Sequence, residues 1–536
     1  MRKWLGRLGR GESGFAMMAV VMGMTAMVFL VLLIYQDGVR EYSSAQHQRR
    51  DDTVIVGAEG MLERYASKLT VDPLYYQHYV DEAEMPRKCT DSGPNNGLIV
   101  QPGNAWFPDC TVWEYEDGTF FSHPLLEGDP LIDADNVTTL IAVVPPGVSE
   151  AGVQVTVVSN VAEFGQTRSL IATIQPESIS EFAFLVDQDL RFGSGANIHG
   201  KIYVGGDLNF RPTPVQGVVH RDAFAEGQIG NVSGYGPPIF VSGSQGYTGS
   251  GPYTDIRTVY EEPLDFSSFW DDLDLLRDVA CDGGGLCLSH TQNPGLGLSS
   301  NPTAWLLEPK VSGADSTIKV WAAYSNDSYS CVTSEEWWWI NSRDASWTLV
   351  GTFPVPANGA VWVDGHAVMG REIGQVSKVR ESFTVLAGSN GSRKNIIIGS
   401  DIIYTGGLDT TVLGLIATDE VYINPSSVEN DNELVLNAAI LTQGGAFHVA
   451  RDCGSSGNVM LPYSGGVPIS ELTTNGSFAI LYTGDVAAHF GIRNYGFDER
   501  FESLRPPFFP LLSDSWNFVE WREQPLPCWA IPGSCP

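Results

Sequence analysis

Asn395-Ile-Ile-Ile-Gly-Ser-Asp-Ile-Ile-Tyr404 decides the fold. Two short β-branched runs flank Gly399-Ser400-Asp401. Runs this short, bounded by small and acidic turn residues, read as strands and not as helix. The rhythm recurs upstream at Phe182–Val186, Leu190–Phe192, Asn197–Val204 and Leu208–Phe210, and again at Gly359–Val368 and Phe383–Ala387. Downstream it continues through Val412–Ile423, Glu433–Thr442, Ala446–Val449 and Ser477–Thr483. Several strands restart after a small-plus-acidic pair: Gly206-Asp207, Ser400-Asp401, Thr418-Asp419 and Gly484-Asp485. Such spacing fits a solenoid or a sandwich, and the favoured reading is a right-handed parallel β-helix whose rungs bury Ile, Val and Leu. The content of 58 Gly and 31 Pro in 536 residues favours many short strands and turns over long helices, so the chain is predicted to be mainly β.

The predicted body has two parts, 181–220 and 356–496. Between them, 221–355 breaks the rhythm with a helical stretch at Phe266–Val279, the Cys281–Cys287 loop and the run Trp337-Trp338-Trp339. It reads as an insertion. Residues 70–180 read as an irregular region that gains β character, with Val153–Val158 and Thr167–Ile174 as paired strands. The Pro- and aromatic-rich 497–536 is expected to cap the body.

The N-terminus follows another pattern. Arg2, Lys3, Arg7 and Arg10 stand against Glu12 in residues 1–14, and no charge occurs from Phe15 to Tyr35. As a helix that run spans roughly 30 Å, the thickness of a bilayer core. Basic residues before it and Asp37 after it predict a cytoplasmic leader and an exported remainder. An ordinary signal peptide has a shorter apolar core and a small-x-small cleavage site, which Leu33-Ile34-Tyr35-Gln36 does not offer. A plain anchor helix is the other alternative. From 39 to 69, Ile55, Ala58, Met61, Leu62, Tyr65 and Leu69 recur at helical spacing and form a packing stripe.

Gly14-Phe15 at the head of the apolar run resembles the start of a type IV pilin precursor. That resemblance implies a prepilin leader at 1–14, cleavage by a prepilin peptidase between Gly14 and Phe15, N-methylation of Phe15, and a pilin-like transmembrane and periplasmic helix over 15–69. Major pilins carry Glu at the fifth mature position, and here that position is Ala19. The departure suits a rare or terminal subunit, and the N-terminus resembles PilX-type minor pilins and the tip pseudopilins of type II secretion.

The body resembles a bacterial domain of unassigned function that is often joined to such N-termini. The resemblance rests on the stretches from Glu181 to Asp187, Ile198 to Leu208, Gly359 to Gly365, Asn395 to Tyr404, Leu413 to Ala417, Leu436 to Leu441 and Arg505 to Arg522. It implies a pilus-associated structural protein with a β-solenoid-like body, and it brings no catalytic residues.

The eight cysteines, Cys89, Cys110, Cys281, Cys287, Cys331, Cys453, Cys528 and Cys535, all lie beyond the apolar run. An even number in an exported chain reads as disulfides. Proximity suggests Cys89–Cys110, Cys281–Cys287 and Cys528–Cys535, which leaves Cys331 and Cys453. The absence of Cys-x-x-Cys argues against zinc and thioredoxin-like chemistry. Gly195 to Lys201 fits a phosphate-loop spacing, but Ile202 stands where Ser or Thr is required and the segment leads into a strand. His199 and His448 sit beside strands and read as corner residues. Asp187 and Asp189 have a spacing that suits a calcium turn but read as solvated. No cofactor or metal is expected.

A net charge of −32 repels nucleic acid and anionic lipid. The resemblances imply a non-enzymatic, minor-pilin-like component of a type IV pilus or a related secretion filament. It would sit at the side or tip, in assembly or adhesion, on a single-pass inner-membrane subunit whose body reaches the surface. Its partners would be the peptidase, the inner membrane and other pilin-like subunits. The alternative is a membrane-anchored protein that binds or cleaves surface glycans, with Trp337, Trp338 and Trp339 as its stacking residues.

Overall fold

In the computed structural model, the residues described are 12–71, 87–89, 99–100, 113–115, 137–144, 152–161, 166–193, 196–210, 218–230, 239–241, 256–258, 270–313, 315–324, 347–370, 376–405, 410–423, 433–449, 463–464, 467–468, 471–483, 490 and 492–526. By its internal packing the chain divides into two units. One comprises Met1–Pro145, Gln154–Ile174 and Phe518–Pro536; the other comprises Pro146–Val153 and Gln175–Asn517.

The first unit is built on helix α1, Glu12–Val71. Val54, Ala58, Met61, Leu62, Tyr65, Ala66 and Leu69 recur every three or four residues and are buried, so this part of the helix lays an apolar stripe against the unit. Val54 leads the stripe, and the expected Ile55 is only half-buried. A four-stranded sheet has the order Leu511–Gln524, Gln166–Ser178, Val153–Val161, Val137–Val144. The last two strands pair antiparallel in unbroken register from Val137↔Val161 to Val144↔Gln154.

The expected membrane-spanning helix is corrected. Among the described residues no helix is long and apolar enough to cross a membrane. Helix α1 continues unbroken through Asp37, Arg40 and Glu41. The single-pass inner-membrane placement drawn from the apolar run falls with the expected span.

The second unit is a stack of parallel strands. Phe182–Val186 pairs with Lys201–Val204, which pairs with Ala223–Ala225, then Ile239–Val241, then Ile256–Thr258. A second run passes from Leu286–Leu288 through Ala360–Val363, Phe383–Ser389 and Leu413–Ala417 to Ala439–Val449 and Ser477–Thr483. The last of these pairs in parallel with the first strand of the unit, Phe478↔Phe184 and Ile480↔Val186. The stack therefore begins in its middle, grows outward, and is rejoined from the other side.

There is a physical reason for this order. Near its two ends the long segment Gln175–Asn517 meets itself, where the Ile179 N–H donates to the Pro510 carbonyl at 3.4 Å. An insert that leaves and re-enters at one point must finish beside its start, whereas a one-way solenoid ends at opposite poles. The expectation of a parallel β-helix solenoid is corrected on these grounds: the chain is mainly β, but among the described residues no closed solenoid forms. An antiparallel hairpin also interrupts it, with Ala304–Ser312 against Asp315–Ala323 and the latter against Thr348–Pro354.

Further parallel ribbons flank the stack, two of them long. One runs from Ala304–Ser312 through His366–Met369, Ile396–Ile398 and Val421–Ile423 to Ala439–Val449. The other holds Val376–Val379, Asp401–Tyr404, Glu433–Leu436, Glu471–Asn475 and Ile492–Gly496. Strand alternation sends Val361, Val385, Leu415 and Ile440 into the inner core, and their neighbours Trp362, Leu386, Ile416 and Leu441 outward. That outer face is also apolar, and it is covered by Leu273, Leu276 and Ala280 of helix α2 (Trp270–Asp282) and by Phe501, Leu504 and Phe509. Gly414 lets this cover approach: a Cβ there would lie 2.6 Å from Thr384 Oγ1 and 2.9 Å from Phe509.

Candidate functional site

Residues 20–31 of α1 have the opposite character to its buried stripe. Val20, Met22, Met24, Met27, Val28, Phe29, Leu30 and Val31 are all more than half exposed. Thr25, the polar side chain among them, turns its hydroxyl back onto the Val21 carbonyl at 2.5 Å, so the stretch offers no hydrogen-bonding group outward at that position. Contiguous apolar exposure on this scale marks an interaction surface. The backbone of Gly14 and Phe15 belongs to the same helix. Their side-chain surroundings lie outside the described residues.

Of the expected disulfides, Cys281–Cys287 is present and ties the last turn of α2 to the strand Leu286–Leu288. Cys89 ends the short strand Arg87–Cys89. Cys110, Cys331, Cys453, Cys528 and Cys535 lie outside the described residues, as do Trp337, Trp338 and Trp339.

The acidic turns are occupied by their own backbone. Asp189 Oδ1 accepts from the Asp207 N–H at 2.8 Å, and Asp207 Oδ1 accepts from the Gln228 N–H at 2.7 Å. Each carboxylate thus caps the next rung. Among the described residues no group of three or more His, Cys, Asp and Glu is placed to hold a metal ion.

One constellation escapes the sequence. Tyr422 and His448 are register partners on neighbouring strands. Their rings lie 4.4 Å apart. The Tyr422 hydroxyl donates to Glu420 Oε2, and His448 Nε2 lies 3.3 Å from the same oxygen. Beside them Asp419 is held above the usual carboxylate range, first by burial and then by Glu420. The signal was the shared alternation of Val421-Tyr-Ile423 and Phe447-His-Val449, but only the register brings the two rings together. One carboxylate shared by a phenol and an imidazole is a closed hydrogen-bonded clamp.

His199 and His220 meet in the same way, stacked at 4.3 Å. Desolvation, then His199, keeps His220 below the usual imidazole pKa. Glu181 is pushed up by burial, against the pull of Lys201, whose Nζ lies 3.3 Å away.

No protein-family model matches the chain, and no curated protein matches it. Among solved structures, the crystal structure of the competence-associated pilin ComZ from Thermus thermophilus is similar over 88% of this chain and 97% of that chain. The two share 13% sequence identity, and the TM-score is 0.28. A superposition that loose carries no argument. The candidate site therefore rests on this chain's own features, namely the exposed apolar helix and the residues that precede it.

Proposed function

We propose that this chain is a non-catalytic, minor-pilin-like subunit of a type IV pilus or a related secretion filament, placed at its side or tip for assembly or surface adhesion. The observation that carries the reading is the exposed apolar face of α1 between Val20 and Val31. Each large apolar side chain gains about 1.5–3 kcal/mol on full burial, so several in succession favour association with a like surface. The helices of other pilin-like subunits offer such a surface. Gly14-Phe15 and the basic residues before them supply the matching site for a prepilin peptidase. Ala19 in place of Glu at the fifth mature position suits a rare or terminal subunit.

The test is the N-terminus of the protein recovered from a host with the peptidase and from one without it. Mass spectrometry is expected to show N-methylated Phe15 in the first and the intact leader in the second. A chain beginning at Met1 in both hosts overturns the reading.

A further inference from the structure

The strand Leu511–Gln524 ends its sheet, and among the described residues no strand pairs with its outer edge. Its C-terminal half is exposed on both faces. Phe518 is 38%, Val519 52% and Trp521 53% exposed, and the side chains of Glu520 and Arg522 are about two-thirds exposed. An open edge flanked by apolar side chains is a template for another strand.

Three observations identify the occupant. The first is charge. Glu520 and Arg522 project from one face, 3.4 Å apart, and form a balanced pair in a chain of net charge −32. The second is the opposite face. Val519, Trp521 and Glu523 share it with Arg168, which holds Glu523 at 3.0 Å. On the neighbouring strand that face continues into the buried Leu170, Ala172 and Ile174. Trp521 therefore stands at the open margin of a buried apolar face. The third is symmetry. A two-fold axis normal to a sheet keeps each side chain on its face, so one residue of the edge must meet its own copy. Centred on Glu520, the pairing sets Glu520 against itself; centred on Arg522, it sets Arg522 against itself. Centred on Trp521, it sets Glu520 against the partner's Arg522 twice, and Trp521 against the partner's Trp521. Opposite charges facing across strands stabilise a pair, and like charges oppose it.

We propose that two copies of this chain join antiparallel along the edge Phe518–Gln524, on a two-fold axis at Trp521, to make one continuous sheet. This surface is separate from the exposed stretch of α1 and does not depend on the filament reading.

The test uses the full-length chain carrying Trp521→Cys. A cross-strand disulfide needs Cα atoms about 4.4–6.8 Å apart, which only the residue on the axis achieves with its own copy. Peptide mass spectrometry after mild oxidation is expected to find position 521 linked to position 521, while Phe518→Cys gives no self-link. In sedimentation equilibrium, Glu520→Arg or Arg522→Glu alone is expected to weaken self-association about tenfold, because each reversal creates two like-charge pairs. The double exchange is expected to restore it. Absence of the 521 link, failure of the double exchange to restore, or pairing of this edge with a different protein's strand in place of its own copy overturns the proposal.

Discussion

Residues 20–31 and 396–398 are both apolar, and the molecule treats them in opposite ways. Ile396, Ile397 and Ile398 are fully buried, the middle one against the outward cluster and the others in the inner core. Met22, Met27 and Phe29 are two-thirds or more exposed. Composition does not separate the two regions. What separates them is whether the chain itself supplies a partner: a rung has another rung above and below, whereas this part of α1 has none within the described residues. Burial inside one chain holds a fold together, and apolar surface left over is available to a second molecule.

The largest test of that contrast is Trp305→Ala. Trp305 is fully buried in the stack, and its indole N–H donates to the Asp364 carbonyl at 3.3 Å. Truncation leaves a cavity and one lost hydrogen bond. The loss is expected to be about 4 kcal/mol, read as a lower urea midpoint for the body. Within α1, Leu62→Ala is expected to cost about 3 kcal/mol, because Leu62 lies in the buried stripe. A loss near zero there would mean that the two parts of the helix are alike after all.

A third test is acid. His366 is buried, and its Nδ1 accepts from the Asn395 N–H at 3.1 Å, which requires the neutral ring. Burial, and then the Lys394 charge, lower its pKa to about 4. The unfolded chain takes up the proton near pH 6.5. The folded state thus binds fewer protons between these values. Its contribution is fully present above the unfolded pKa and is lost as pH falls toward the folded one. Stability is expected to drop by about 2 kcal/mol from pH 7 to pH 5 through this residue. His366→Gln is expected to flatten that slope in acid titrations followed by circular dichroism, and an unchanged slope would rule the residue out.

How far the sequence led can be judged at single residues. The break at Gly399-Ser400 in the quoted stretch is present, separating Ile396–Ile398 from Asp401–Tyr404. Alternation and turn residues are local, so they survive in the linear text. The order of stacking does not. That Phe184 lies against Phe478 follows from where the chain leaves and re-enters the unit, not from any local pattern. The same holds for His448 and Glu420, which meet only through register. The strand Leu511–Gln524 was hidden in a Pro- and aromatic-rich segment that read as a cap on the body. For α1, length and apolarity suggested lipid, because a sequence shows how apolar a run is but not what lies against it. Gly14-Phe15 remain legible only as a motif.

The smallest expected effect on stability is also the sharpest test of the comparison. Val28 and Phe29 are exposed by more than half, so Val28→Ser with Phe29→Ser removes almost no intramolecular contact. The unfolding midpoint is expected to move by no more than about 0.5 kcal/mol, the range of ordinary surface substitutions. Association is a different quantity. If this face is covered by other subunits, the double variant fails to co-purify with sheared filaments while its body stays folded by circular dichroism. Trp305→Ala is the converse control, since it weakens the body without touching the helix surface. A double variant that unfolds would place the exposed stretch in the chain's own fold. One that still enters filaments at the normal level would separate apolar exposure from assembly, and leave the leader motif alone to support the filament reading.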